Sequence, residues 1–325
     1  MERQRKSAPR FRRTDDVPNI SLSDDDYEIL VHVYRNRLME STAIYKLFPG
    51  RSAQVISRRL KLLFRTQHLD RPISQNIKNR LKPGTDPYVY AISKHGAAAL
   101  RSKFGTDVSP TGWRYKNSQL TAATIEHQLE ASRFVSILHA AVQQRPGLEL
   151  LYFDQIVSPE RATRRPAGLV NTIRADVPWP VPGNQVGTAP DIVLGLQNDG
   201  QYQVLFIEID RGTETIEPSD RNRRSTRFWR DTSFLRKLLI YGAAFRSKAH
   251  HQQFGIPSFR VVTIVPTADR VSTIQSTWER HMSTGTNRTK PGLFLFSNWS
   301  DIAAADDLLA MPFENAVGKP VYLLD

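Results

Sequence analysis

Two apolar runs, Asp191–Leu196 and Tyr202–Ile209, are separated only by Gln197-Asn198-Asp199-Gly200-Gln201. Asp-Gly between such runs is a hairpin signal, so the middle of the chain is committed to a sheet. Pro190-Asp191 opens the first strand, and Glu208-Ile209-Asp210 closes the second after the apolar run Val204–Ile207. Residues two apart on a strand face the same way, and the turn returns Asp191 to the side of Glu208 and Asp210. Three carboxylates are therefore expected at one end of a sheet. Like charges that close repel and raise each other's pKa. A hard divalent cation removes the conflict, and Mg²⁺ takes one or two carboxylates plus waters and phosphate oxygens. Asp191, Glu208 and Asp210 are accordingly the expected metal ligands, with Mg²⁺ or Mn²⁺ polarising a phosphoryl group and acidifying a bound water. An acidic hairpin facing solvent is the plainer alternative. The apolar run leading into Glu208 argues for a central strand instead.

The surrounding pattern supplies the rest of a sheet domain. A long helix is expected over Ala122–Gln144, ended by Pro146-Gly147, then strands at Leu148–Val157 and Thr172–Val177 with Pro-rich loops between and after them. Past the hairpin come an Arg-rich loop, Arg211–Arg224, and a helix over Thr226–Arg246 with Phe234, Leu238, Tyr241 and Phe245 on one face. A strand at Phe259–Val265, a helix at Arg270–Met282 and a strand at Leu293–Phe296 follow. That alternation predicts an α/β sandwich with a mixed sheet.

The N-terminal part differs in charge. Residues 1–120 hold 23 Lys+Arg and 11 Asp+Glu, a net +12, whereas residues 121–325 hold 22 and 21, a net +1. Segregation of this kind suits one half of the chain to a polyanion. Residues 1–20 read as a flexible basic arm, residues 21–104 as a domain, and 105–120 as a linker containing Pro110 and Gly112. A first helix starts at Ser23, with Asp24, Asp25 and Asp26 suiting its positive end; a second runs over Ser41–Phe48. The third, Ser52–Gln67, buries Ile56, Leu60 and Leu63 and presents Arg51, Gln54, Arg58, Lys61 and Arg65 on its other face. Residues 51–69 carry five basic side chains and no acidic one. Arg and Gln make bidentate contacts to base edges in a major groove, which admits a helix. Short strands at His68–Pro72 and Tyr88–Ile92 flank Lys78, Arg80 and Lys82, and a helix over Ser93–Phe104 closes the unit. Three helices and a basic β-ribbon predict a winged helix-turn-helix on double-stranded DNA. A small helical domain with a basic surface is the alternative.

Several function classes are excluded. With 325 residues and no Cys, the chain is sized for two domains and has no disulfide, thiolate–zinc or thiol chemistry. No apolar stretch approaches the ~18 residues of a membrane span, so no membrane partner is expected and a reducing cytoplasm is. No two of its eight His are separated by a single residue, so a His-x-His metal site is missing. Phosphate-loop, dinucleotide-binding and nucleophile-elbow motifs are absent too.

Pro190-Asp191, Glu208-Ile209-Asp210 and the helix after them resemble the PD-(D/E)XK nuclease core. More narrowly, Glu208-Ile209-Asp210-Arg211-Gly212-Thr213-Glu214 resembles the signature of the plasmid replication-relaxation family. Tyr90-Ala91-Ile92-Ser93-Lys94-His95-Gly96, His127-Gln128-Leu129 and Arg236-Lys237-Leu238 with Tyr241 support it. The resemblance spans about Ser21 to Pro266, and is specific around 208–214 and loose elsewhere. It implies a winged helix joined, over residues 121–325, to a restriction-endonuclease-like mixed sheet flanked by helices (α/β, or α+β overall). The family is related to one class of conjugative-plasmid relaxases, which bind a plasmid origin and nick it. The implied partners are a plasmid origin or operator, replication or relaxosome proteins, and a second copy of the chain. One departure matters: the motif's Lys, two residues after the Glu, is Asp210 here. Either Lys237 on the next helix replaces it, or Asp210 is a further ligand and a second metal or Arg211 supplies the positive charge, or catalysis is lost. The helix before the sheet often supplies a ligand in this fold, which adds His127 and Glu130; Glu214 is a further candidate. A non-catalytic DNA-binding accessory or transcriptional regulator is the competing expectation.

Overall fold

The computed structural model describes residues 11–13, 17–75, 87–105, 112–157 and 171–325. The chain divides into two compact units, Met1–Ala140 and Ala141–Asp325.

The first unit contains α1 (Asp24–Arg35), β1 (Leu38–Glu40), α2 (Ser41–Lys46), α3 (Ala53–Arg65), β2 (Leu69–Asp70), β3 (Val89–Ile92), α4 (Lys94–Phe104) and α5 (Trp113–Ser118). The helix α6 (Ala122–Gln143) starts in it and crosses the division. Ser23 and Asp26 cap α1 reciprocally, each side chain bonding the other's backbone N–H, and so satisfy two donors the helix leaves open. Ser52 caps α3 by accepting from Val55 N. Ile56, Leu60, Leu63 and Phe64 of α3 are buried against Ile29, Leu30 and Val33 of α1 and Ile44 of α2 in one core. The three strands form an antiparallel sheet of order β1-β3-β2. Gln75 hydrogen-bonds both the N–H and the carbonyl of Val89. Lys78, Arg80 and Lys82 lie outside the described residues, as do 1–10 of the arm and Pro110. Arg13 is tied down: its guanidinium donates to Phe64 O at 2.7 Å and Leu69 O at 2.8 Å and pairs with Asp70. The segment expected as a linker carries α5, whose Trp113 is buried.

The second unit contains β4 (Leu148–Tyr152), α7 (Phe153–Ile156), β5 (Ile173–Val177), β6 (Gly183–Thr188), β7 (Ile192–Asn198) and β8 (Gln201–Ile209). After these come α8 (Asp220–Arg223), α9 (Phe234–Arg246), α10 (Ala249–Phe254), β9 (Arg260–Val265), α11 (Ala268–Met282), β10 (Phe294–Asn298), α12 (Trp299–Ala304), β11 (Phe313–Asn315) and β12 (Pro320–Val321). Seven strands make a mixed sheet of order β12-β11-β10-β9-β8-β7-β4. Its three central strands, β8, β9 and β10, are parallel; β7 and β4 add antiparallel at one side. The hairpin turns on Asp199 and Gly200, both at positive φ (48° and 77°), as a two-residue turn of this twist demands. Phe234, Leu235, Leu238 and Tyr241 of α9 and Val271, Ile274 and Trp278 of α11 pack on Val204, Phe206, Val261 and Val265. The α/β class and mixed sheet agree with the sequence.

Three element boundaries differ from expectation. The strand at Leu148–Val157 stops at Tyr152, because the Gln155 side chain accepts from Tyr152 N at 3.0 Å and starts the helical turn α7. The helix over Thr226–Arg246 is a 3-10 turn at Thr226–Trp229 and then α9, for which Ser233 acts as N-cap; Ser bonds its own backbone outside the helix interior. Part of the Pro-rich region forms β6, paired with β5.

Candidate functional site

The hairpin register sets Ile192 opposite Ile207. One step further, Asp191 lies across from Glu208. Asp191 N donates to Ile207 O at 2.9 Å, and its carboxylate accepts from Ile209 N at 2.7 Å. Glu208 sits in register with Thr263 of β9 and is 2 % exposed. Alternation along β8 puts it on the face of Val204 and Phe206, under α9. Lys237 and Tyr241 are one helical turn apart on α9 and so descend on the same spot. Lys237 Nζ donates to Glu208 Oε2 at 2.9 Å, and the Tyr241 hydroxyl to Oε1 at 2.5 Å. Lys237 Nζ is also 2.9 Å from Glu214 Oε2.

Burial pushes the Glu208 carboxyl up to about 7; Lys237 opposes that rise, Asp191 adds to it, and the Tyr241 hydroxyl opposes it. Burial by itself would lower Lys237, but Glu208 and Glu214 hold it above the ordinary lysine range. It is therefore an ammonium at any physiological pH. Burial and then Glu208 raise Tyr241 well above the usual phenol range, so it stays a neutral donor.

Asp210 is drawn to a different partner. Arg270, in the first turn of α11, pairs with its Oδ2, and Gly212 N donates to its Oδ1 at 2.8 Å. Arg270 also donates to Glu214 O at 2.6 Å, which links the two ends of the cluster. Asp191, Glu208, Lys237 and Glu214 thus come together. Among the described residues, no three His, Asp or Glu side chains stand in an arrangement that holds a metal ion. His127 and Glu130 are half-buried on α6 in the first unit.

Tyr241 and Arg270 were not singled out as site residues from sequence. Tyr241 carries a signal, being four residues after Lys237 on an amphipathic helix. Arg270 carries none, since it reaches Asp210 from 60 positions away. Thr263 is a further case: its hydroxyl is buried beside Glu208 and has no partner among the described residues.

On α3, Gln54, Arg58 and Lys61 are exposed and Arg65 is half-buried. Arg51 is engaged by Asp25 at 2.9 Å. Arg59, just off the expected stripe, pairs with Asp26, a carboxylate with no exposure at all. It docks α3 on α1.

Residues 30–232 match the family model described as replication-relaxation. Comparison with curated proteins gives no match, and neither does comparison with solved structures.

Proposed function

The chain belongs to the replication-relaxation family, and from that premise we propose that it binds and nicks plasmid or mobile-element DNA in replication or mobilisation. In this reading the first unit is a winged helix that docks on duplex DNA through Gln54, Arg58, Lys61 and Arg65. The second has a PD-(D/E)XK-like site that hydrolyses a phosphodiester with Mg²⁺ or Mn²⁺. The observation that carries it is the contact of Lys237 Nζ with Glu208, at 2.9 Å, next to Asp191. The chain has Asp210 at the motif's Lys position, and α9 delivers an ammonium to the same carboxylate from another element.

The residues fit a divalent ion. Two carboxylates are enough for Mg²⁺, which keeps waters and takes phosphate oxygens for the rest of its shell. Each carboxylate oxygen has two lone pairs, so the bonds from Lys237 and Tyr241 leave Glu208 accepting capacity. A buried carboxyl raised to about 7 is one that a neighbouring cation stabilises. The unpartnered Thr263 hydroxyl beside it is a place for a bound water. Asp191 and Glu208 would hold the ion, which when bound polarises the phosphoryl oxygen and acidifies a water. Lys237 would position a water and neutralise charge growing on the phosphate, while Glu214 and Tyr241 fix Lys237 and Glu208. Asp210 and Arg270 hold the loop to Glu214. One site per chain favours a nick over a double-strand break.

A catalytically silent scaffold is the second reading, favoured by the protein partners already on both oxygens of Glu208 and of Asp210. A plasmid-nicking assay with Mg²⁺ or Mn²⁺ separates the two. Nicking by wild type, lost in Glu208→Ala and Lys237→Ala with DNA affinity kept, is the expected result. Equal inertness of wild type and Glu208→Ala on origin-bearing plasmid would leave only the scaffold.

A further inference from the structure

The segment between Glu208 and Lys237 carries six arginines over residues 211–231 against four carboxylates, Glu214, Glu217, Asp220 and Asp231. Each of those carboxylates has a basic partner. Glu214 takes Lys237, Asp220 takes Arg223, Asp231 takes Arg227, and Glu217 takes Arg223, Arg280 and His281 together. Arg221, Arg224 and Arg230 are exposed and make no ion pair among the described residues. The segment is a built one: Phe228 is buried, Trp229 Nε1 donates to Val181 O at 2.9 Å, and Phe234 N donates to Thr215 O at 2.9 Å.

The field there is positive. His281 lies 2.7 Å from Glu217, a placement that ordinarily raises an imidazole. Instead it is pushed down to about 4, by burial and then by Arg223 and Arg280. Arg223 is itself lowered by burial, by Arg280 and by Arg224.

Helix α11 ties this segment to the loop beside the carboxylate cluster. Arg270 grips Asp210 at one end of that helix and Arg280 grips Glu217 near the other.

We propose that Arg221, Arg224 and Arg230 form a second DNA contact, on the C-terminal unit, which holds the phosphate backbone beside the Glu208–Lys237 cluster. This rests on the proposed function in taking that cluster as the place where DNA is processed. Phosphate contacts of this kind position a duplex without specifying its sequence.

The test uses the full chain and a short fluorescent duplex of arbitrary sequence, titrated over a series of salt concentrations. With three phosphates neutralised at ~0.9 each, R221A/R224A/R230A should flatten the slope of log affinity against log salt by about 2–3. Its thermal melt should match wild type, and R221K/R224K/R230K should keep the slope. An unchanged slope in the alanine variant overturns the inference, and so does a wild type that binds duplex DNA without salt dependence. A flattened slope alongside inert nicking by wild type sinks the catalytic reading and leaves this contact standing. Active nicking with an unchanged slope does the reverse.

Discussion

Glu208 is where burial, charge and sequence position meet. Its folded pKa of about 7 lies above the ordinary 4.5, so ionising it costs folding energy. The stability it contributes is full below pH 4.5 and is lost as pH rises through about 7. At ~1.36 kcal/mol per pKa unit the loss reaches about 3 kcal/mol. Urea unfolding from pH 5 to 8 should show that decline in wild type and a flatter profile in Glu208→Gln. Divalent-ion affinity should rise over the same range, because the ion competes with a proton. Tyr241→Phe removes a hydrogen bond to this carboxylate. It should cost ~1.5–3 kcal/mol and move the Glu208 carboxyl still higher, read from its carboxyl carbon titration by NMR; an unmoved titration would show that the hydroxyl does not act on Glu208. Sequence alone discloses Glu208 and Asp191, since a strand and a tight turn fix both. It leaves the fate of Asp210 open, because the choice between a cation and Arg270 depends on where α11 docks.

Among the elements, α3 separates two jobs that its composition merges. Its four basic residues come without an acid, yet Arg59, off the expected cationic stripe, points inward to a fully buried Asp26. Removing one partner of a buried pair leaves an uncompensated charge and costs ~3–5 kcal/mol. Arg59→Met should therefore lower the unfolding midpoint strongly, whereas Arg58→Ala with Lys61→Ala should leave it unchanged and weaken DNA binding. A similar melt for both variants would place Arg59 among the surface charges. The hairpin was legible for the opposite reason, that its geometry is local. Gly200, at φ 77°, should lose about 1 kcal/mol on substitution by Ala, seen as a lower urea midpoint. Two of the misplaced boundaries are set by a side chain competing with the ladder or helix, Gln155 at the end of β4 and Ser233 before α9. Period and apolarity do not record such contests.

The whole molecule carries +13, and nearly all of it lies in the first 120 residues. That imbalance was readable at once, but what it acts on is a matter of energetics. Excess like charge destabilises a compact state by self-repulsion, and a Debye length near ~10 Å at 0.1 M salt screens it. Without a polyanion, added salt should raise the melting temperature. Duplex DNA at about 100 times its dissociation constant should add ~2.7 kcal/mol to stability at low salt. In that complex salt reverses sign, because counterions return to the phosphates as contacts are lost. The expected pattern in thermal denaturation is two lines of opposite slope that converge at high salt. Parallel lines, or no effect of DNA at any salt, would mean that the basic surface serves solubility alone and that the arginines of α3 do not meet phosphate.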